Sequence, residues 1–317
     1  MSFWGVSNGY TQTSESKPSS TTETKAEKID RYHDLADEII LGTVNWADSF
    51  FGTDTYTAEA NRTYLRTQLG GFIEEGEDLD VNLRFRFNLN LPRTEKRFRL
   101  TIASDPDAVD NPDDLQDDSS RDQVVEAEEN TTVGLEYFYL DQIKYNLKFS
   151  GGALIRNETL VGFGSTRYRY LITYDPWSIR FVERLRWYTD EGWDARSEID
   201  FERPFSDRLF FRTKPWLKWE ETRNGFEYAV NTSLYHALNQ KAAIEYQFNM
   251  FLDTEYVGQF KECNLRVRYR RQIWRPWLIL EIAPQLAWYK SRDFKTVPGI
   301  QVQFEIWTGR YKSDINS

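Results

Sequence analysis

From Val81 to Leu91 the chain alternates without a break: Val81, Leu83, Phe85, Phe87, Leu89 and Leu91 are apolar, and Asn82, Arg84, Arg86, Asn88 and Asn90 stand between them. A period of two sends successive side chains to opposite faces of a strand, so this segment has one greasy face and one polar, charged face. The pattern returns along the chain in about fourteen segments of roughly 10 to 15 residues separated by turn residues. In order they cover 62–73, 79–92, 96–104, 131–141, 144–155, 162–174, 177–188, 192–203, 207–221, 225–236, 241–253, 257–271, 276–289 and 297–307. A soluble sandwich would also alternate, but its apolar faces need a shared core and its strands run about 5 to 6 residues. Thirteen residues at about 3.3 Å each, tilted near 40°, rise roughly 33 Å, which crosses an apolar band of about 25 Å.

The connections carry a second regularity. Pro92-Arg93-Thr94, Asp141-Gln142-Ile143, Asp175-Pro176, Ser206-Asp207, Asn239-Gln240 and Trp274-Arg275 are tight and fall at every second junction. Longer loops take the others: 74–78, 105–130, 157–161, 189–192, 222–224, 254–256 and 290–296. Aromatic residues make up 16% of the chain and include 11 Trp. Tyr145, Tyr174, Trp177 and Trp277 lie near short turns, and Trp187, Trp193, Trp219 and Trp288 near long loops. Two aromatic belts at the two ends of apolar strands are what two membrane interfaces require. The mean hydropathy of −0.67 is far too polar for a bundle of membrane helices, and no apolar run approaches the roughly 18 residues such a helix needs.

On these segments, belts and turns the chain resembles bacterial outer-membrane β-barrel proteins of the porin-like class. Its last strand, with Gly299, Val302 and Phe304, is similar to the assembly signal of that class, although Trp307 stands short of the chain end. The resemblance implies an all-β, antiparallel, up-and-down transmembrane barrel of about fourteen strands in the bacterial outer membrane. It also implies lipid and the barrel-assembly machinery as partners, with both chain ends in the periplasm. Pro215, Pro284 and a lipid-facing Glu183 resist the pattern, and local bulges are the expected accommodation.

Four segments follow. Residues 1–27, rich in Ser, Thr, Lys and Glu, read as a disordered tail; 28–60 as an amphipathic periplasmic helix and linker; 61–309 as the barrel; and 310–317 as a C-terminal tail. No basic region followed by an apolar run opens the chain, so the mature form is expected. The helix either caps the barrel mouth, enters the lumen, or docks a periplasmic protein with its apolar stripe.

Inward parity gives an ionic lumen. The arginines Arg84, Arg86, Arg97, Arg99, Arg167, Arg169, Arg184, Arg186, Arg266 and Arg268 are expected to line a path for solutes, with Arg180, Arg212, Lys214, Lys218 and Arg270 beside them. Acids answer from the eighth strand (Asp194, Glu198, Asp200, Glu202) and from Glu227, Glu245, Asp253, Glu281 and Glu305, so cross-strand ion pairs are expected there. The second and third strands, and likewise the sixth and seventh, set arginines beside arginines and are the candidate anion contacts. This predicts a passive channel for small polar or anionic solutes, because fixed positive charge favours anions. The rival expectation is a closed structural or assembly barrel filled by ion pairs or by the N-terminal helix, binding a periplasmic or surface partner.

Other chemistries find little support. A net charge of −10 argues against nucleic acid as a partner. One cysteine, Cys263, and two histidines, His33 and His236, supply neither a disulfide framework nor a metal site, and no cofactor is implied. His236 falls beside a short turn with no serine and acid arranged around it, so catalysis is not expected. The acidic loop 105–130 reads as a solvated block, with weak divalent-cation binding as its alternative.

Overall fold

The computed structural model of the chain describes residues 50, 63–91, 97–104, 131–142, 144–156, 158–254 and 259–309. All fourteen expected segments form strands: β1 (Tyr64–Glu74), β2 (Asp80–Asn90), β3 (Phe98–Ala103), β4 (Thr131–Asp141), β5 (Tyr145–Arg156), β6 (Thr159–Tyr174), β7 (Trp177–Tyr188), β8 (Gly192–Ser206), β9 (Leu209–Glu220), β10 (Glu227–Asn239), β11 (Ala242–Asp253), β12 (Gln259–Gln272), β13 (Leu278–Tyr289) and β14 (Thr296–Gly309). Each strand pairs antiparallel with its neighbours in sequence, and β1 closes on β14. Tyr64 lies opposite Gly309 across that seam, so the first strand begins and the last strand ends at one rim. The expected N-terminal tail and helix, the acidic loop 105–130 and the C-terminal tail lie outside the described residues, apart from a buried Phe50.

Closure leaves no strand edge, so every strand finds a backbone partner on both sides without help from water, the condition lipid imposes. The outward row is apolar and exposed, as at Leu69, Val81, Leu83, Leu135, Leu185 and Phe248. Near the short turns Tyr145 stacks on Tyr170 with centroids 5.5 Å apart. Near the opposite rim Trp187 lies across from Trp193, and Trp219 pairs with Ala195 on the next strand. The fold and this surface together place the chain in the outer membrane.

Three details differ from the sequence reading. The loop expected over 157–161 is tighter, because Arg156 pairs directly with Thr159 and Glu158 turns the chain at a φ of 64°. Bulges do not explain the strand prolines. Pro215 and Pro284 each keep one ladder, opposite Val230 and Ile300, and open the other without a change of register. An antiparallel residue spends its N–H on one neighbour only, so proline, which has none, costs one side of the ladder.

Glu183 is the third. It needs no bulge either: it sits on the outer face between Tyr168 and Ser197, and Ser197 Oγ donates to its carboxylate at 2.9 Å. One hydroxyl is a poor substitute for water around a carboxylate at mid-strand. Glu183→Leu is therefore expected to raise stability against urea in lipid vesicles by about 1 kcal/mol. A loss of stability would mean that the carboxylate is satisfied by more than Ser197.

Inside, the order of polarity is inverted. Apolar clusters gather toward the rims: Leu154, Val161, Phe163 and Tyr188 at one sector of the loop end, Ala287, Tyr289 and Val297 at another, and Tyr64, Ile279 and Trp307 at the turn end. The belt between them is ionic. Apolar side chains above and below lower the effective dielectric around that belt and strengthen every pairing within it.

Candidate functional site

The belt resolves into three groups of ion pairs, each built across strands by the shared inward parity of its members. The first spans β11 to β14 and β1. Arg268 grips Glu281 with two parallel hydrogen bonds of 3.0 and 2.9 Å and reaches Glu245 at 2.6 Å on its other side. Arg270 joins Glu281 at 3.2 Å to Glu305, and Arg66 closes the chain on Glu305 at 2.7 Å. Gln68 donates to the same carboxylate at 2.9 Å. Three arginines and three glutamates alternate here, so this group is neutral in sum.

The second group spans β7 to β9. Arg180 bonds Asp200 and lies 3.4 Å from Glu202, which also receives Arg212 at 2.8 Å and Ser178 at 3.1 Å. Asp194 faces Arg186 at 3.1 Å and Arg184 at 3.8 Å, and Glu198 faces Arg196 at 3.0 Å and Lys214 at 3.8 Å. Cations outnumber carboxylates here. The third group centres on Glu136 of β4, fully buried, which takes a forked pair of bonds from Arg99 at 2.9 and 2.5 Å, one from Lys148 at 2.9 Å and one from Thr101. A neutral ladder of amides, Trp216 to Asn231 to Asn249 to Asn264, each bond 2.8 or 2.9 Å, lies between β9 and β12.

The arginines picked out from the sequence divide accordingly. Arg99, Arg184, Arg186 and Arg268 are buried in these ion pairs. The expectation that the third strand's arginines serve as anion contacts is corrected at Arg99, which lies directly opposite Glu136 of β4 and pairs with it. Arg97 lies exposed just before β3, at the turn rim rather than in the belt. Arg84 is half-buried on β2, and Arg167 and Arg169 are buried on β6, where Arg169 also donates to the carbonyl of Gln142 at 3.4 Å. Arg86 and Arg266 are buried and bond amides: Arg86 donates to Asn88 at 3.4 Å and Arg266 to Gln301.

Arg66, Glu136, Lys148 and Arg196 join the belt although charge clusters did not point to them. Each shares parity with inward neighbours, Arg196 with Asp194 and Glu198 and Glu136 with Gly134 and Phe138, so parity alone would have found them. His236 faces outward between Leu209 and Ile244 near the short turn.

A closed antiparallel barrel with a lipid-facing apolar belt and a charged interior has the architecture of an outer-membrane β-barrel. No family model and no curated protein matches the chain. Solved structures do match it. The outer-membrane expressed OmpT of Vibrio cholerae has a TM-score of 0.50 at 8% identity, over 78% of this chain and 97% of that one. The outer-membrane channel DcaP of Acinetobacter baumannii has a TM-score of 0.45 at 8% identity, over 78% and 96% of the two chains. The KdgM porin has a TM-score of 0.38 at 8% identity, over 76% and 98%. The likeness to OmpT is one of fold.

Proposed function

We propose that the barrel is a passive channel of the bacterial outer membrane for small polar or anionic solutes. Arg84, Arg86, Arg167, Arg169 and Arg266 form its anion-favouring wall, and the ion pairs of Arg99, Arg184, Arg186 and Arg268 hold its shape. Arg97 stands at the periplasmic rim. The observation that carries this reading is the pairing of Arg86 and Arg266. Among the described residues neither meets a carboxylate within ion-pair distance; both are held by side-chain amides. A buried guanidinium without a carboxylate keeps its full field in the lumen, which attracts anions and repels cations.

Planar-bilayer recording of the refolded barrel under a KCl gradient tests the proposal. Stable unitary currents with chloride preference are expected, with the reversal potential moving toward zero in Arg86→Ala and Arg266→Ala. Currents without ion preference, or with cation preference, would end the anionic reading.

One observation favours the second reading, a closed structural or assembly barrel. Arg167, Arg180, Arg270, Lys148, Lys214, Glu202 and Glu245 are all less than 2% exposed. A folded barrel that stays silent in the bilayer selects it, and the search then turns to a partner of segment 28–60.

A further inference from the structure

The sector where β12, β13, β14, β1 and β2 meet holds a cluster of amides and arginines that stands apart from the ion-pair network. Arg266 of β12 donates to the Gln301 carbonyl of β14 across the intervening strand β13, where the small, fully buried Ala283 lies opposite Gln301. Gln301 donates in turn to the Gln303 carbonyl at 3.3 Å. The next strand, β1, presents Gly70, paired with Gln303 on one side and Asn82 on the other. A Cβ at Gly70 would stand 2.9 Å from Asn82 Oδ1 and 3.6 Å from Gln303 Oε1. The absent side chain is what lets the two amides approach over bare backbone.

Polar capacity is left over in this sector. Arg266 Nε, Asn82 Nδ2, Arg86 Nη2 and Asn88 Nδ2 are buried donors without a hydrogen-bond partner, on side chains 7%, 4%, 3% and 0% exposed. Arg84 is near enough to Arg266 for their positive charges to interact. Glu281 and Glu245, whose charge is felt at Arg266, lie beyond ion-pair distance of it and are already engaged by Arg268 and Arg270. Several unmade donors around like charges are costly in a buried place unless an acceptor arrives to meet them. A guanidinium edge suits a carboxylate, and the Asn82 and Gln303 carbonyls can accept from hydroxyls beside it.

We infer that Arg266, Gln301, Gln303 and Asn82, gathered over Gly70 and backed by Arg84 and Arg86, form a binding subsite for the carboxylate of a small hydroxylated anion. The subsite rests on the channel reading for its access from solution. It gives the solute path a place of residence rather than a uniform charge.

Isothermal titration of the refolded full-length barrel in detergent with gluconate, a probe carrying both groups, tests the subsite. Saturable binding of one gluconate per chain is expected, weakened about tenfold or more in Arg266→Gln and in Gly70→Ala, and unchanged in Arg275→Gln at the exposed short turn. Gly70→Ala displaces only the end of the Asn82 side chain, so it retains the fold and tests the subsite independently of Arg266. Heat-modifiable gel mobility checks each variant. No saturable binding, or binding that all three variants share, overturns the subsite.

Bilayer currents separate this failure from that of the channel. A chloride-preferring channel that gluconate neither binds nor blocks sinks the subsite alone. A silent barrel that binds gluconate and loses it in both lumen variants keeps the subsite, reached from one rim of a lumen too narrow to conduct, and sinks the channel.

Discussion

Glu305→Ala is expected to destabilise the barrel by about 3–5 kcal/mol, measured by urea unfolding in lipid vesicles. Glu305 is the carboxylate that Arg66 and Arg270 share, and it also accepts from Gln68 and Trp307. All of these residues are buried, so water cannot take the place of the lost oxygens cheaply. The cost comes from stranding charge, not from the worth of the pair itself. Removing charge from both sides, as Arg66→Met with Glu305→Gln, should therefore recover most of the loss. A loss under about 1 kcal/mol in Glu305→Ala would show that the belt is hydrated and that its pairs behave like surface pairs.

Glu136→Gln acts on conduction instead. Arg99 and Lys148 share that one carboxylate, and the amide keeps its shape while removing its charge. The group then carries one more unit of positive charge toward the lumen. A unit charge about 8 Å from a passing ion, at an effective dielectric near 60, is worth roughly 0.7 kcal/mol. Chloride is favoured and potassium disfavoured by that amount each, so the chloride-to-potassium permeability ratio is expected to rise about tenfold, read as a reversal potential closer to the chloride limit. An unchanged reversal potential would mean that ions do not sense this sector and that Glu136 serves only to brace β3, β4 and β5.

The strands were legible in the sequence because one physical condition, lipid outside and charge inside, acts on every second residue over long segments. The segments 131–141 and 177–188 match β4 and β7 residue for residue, and other ends move by only a few residues. What escaped were facts of pairing. Arg99 and Glu136 are 37 residues apart, with the whole loop 105–130 between them, and only the register of β3 on β4 sets them face to face. The Gly70 cradle escaped for another reason: glutamine, asparagine and glycine announce nothing by charge, and their meaning depends on which backbone they stand beside. Arg97 shows the converse, a residue of correct parity that falls outside the belt because its strand starts one residue later.

The seam between β1 and β14 has a consequence in time. Arg66 and Glu305 stand 239 positions apart, so their bond cannot form until nearly the whole barrel has been threaded and curled. Until then both β1 and β14 are open edges, exposed to pairing with any other strand within reach. The last contact made thus joins the chain's most distant parts through a charge pair that a foreign strand would have to match as well as the backbone.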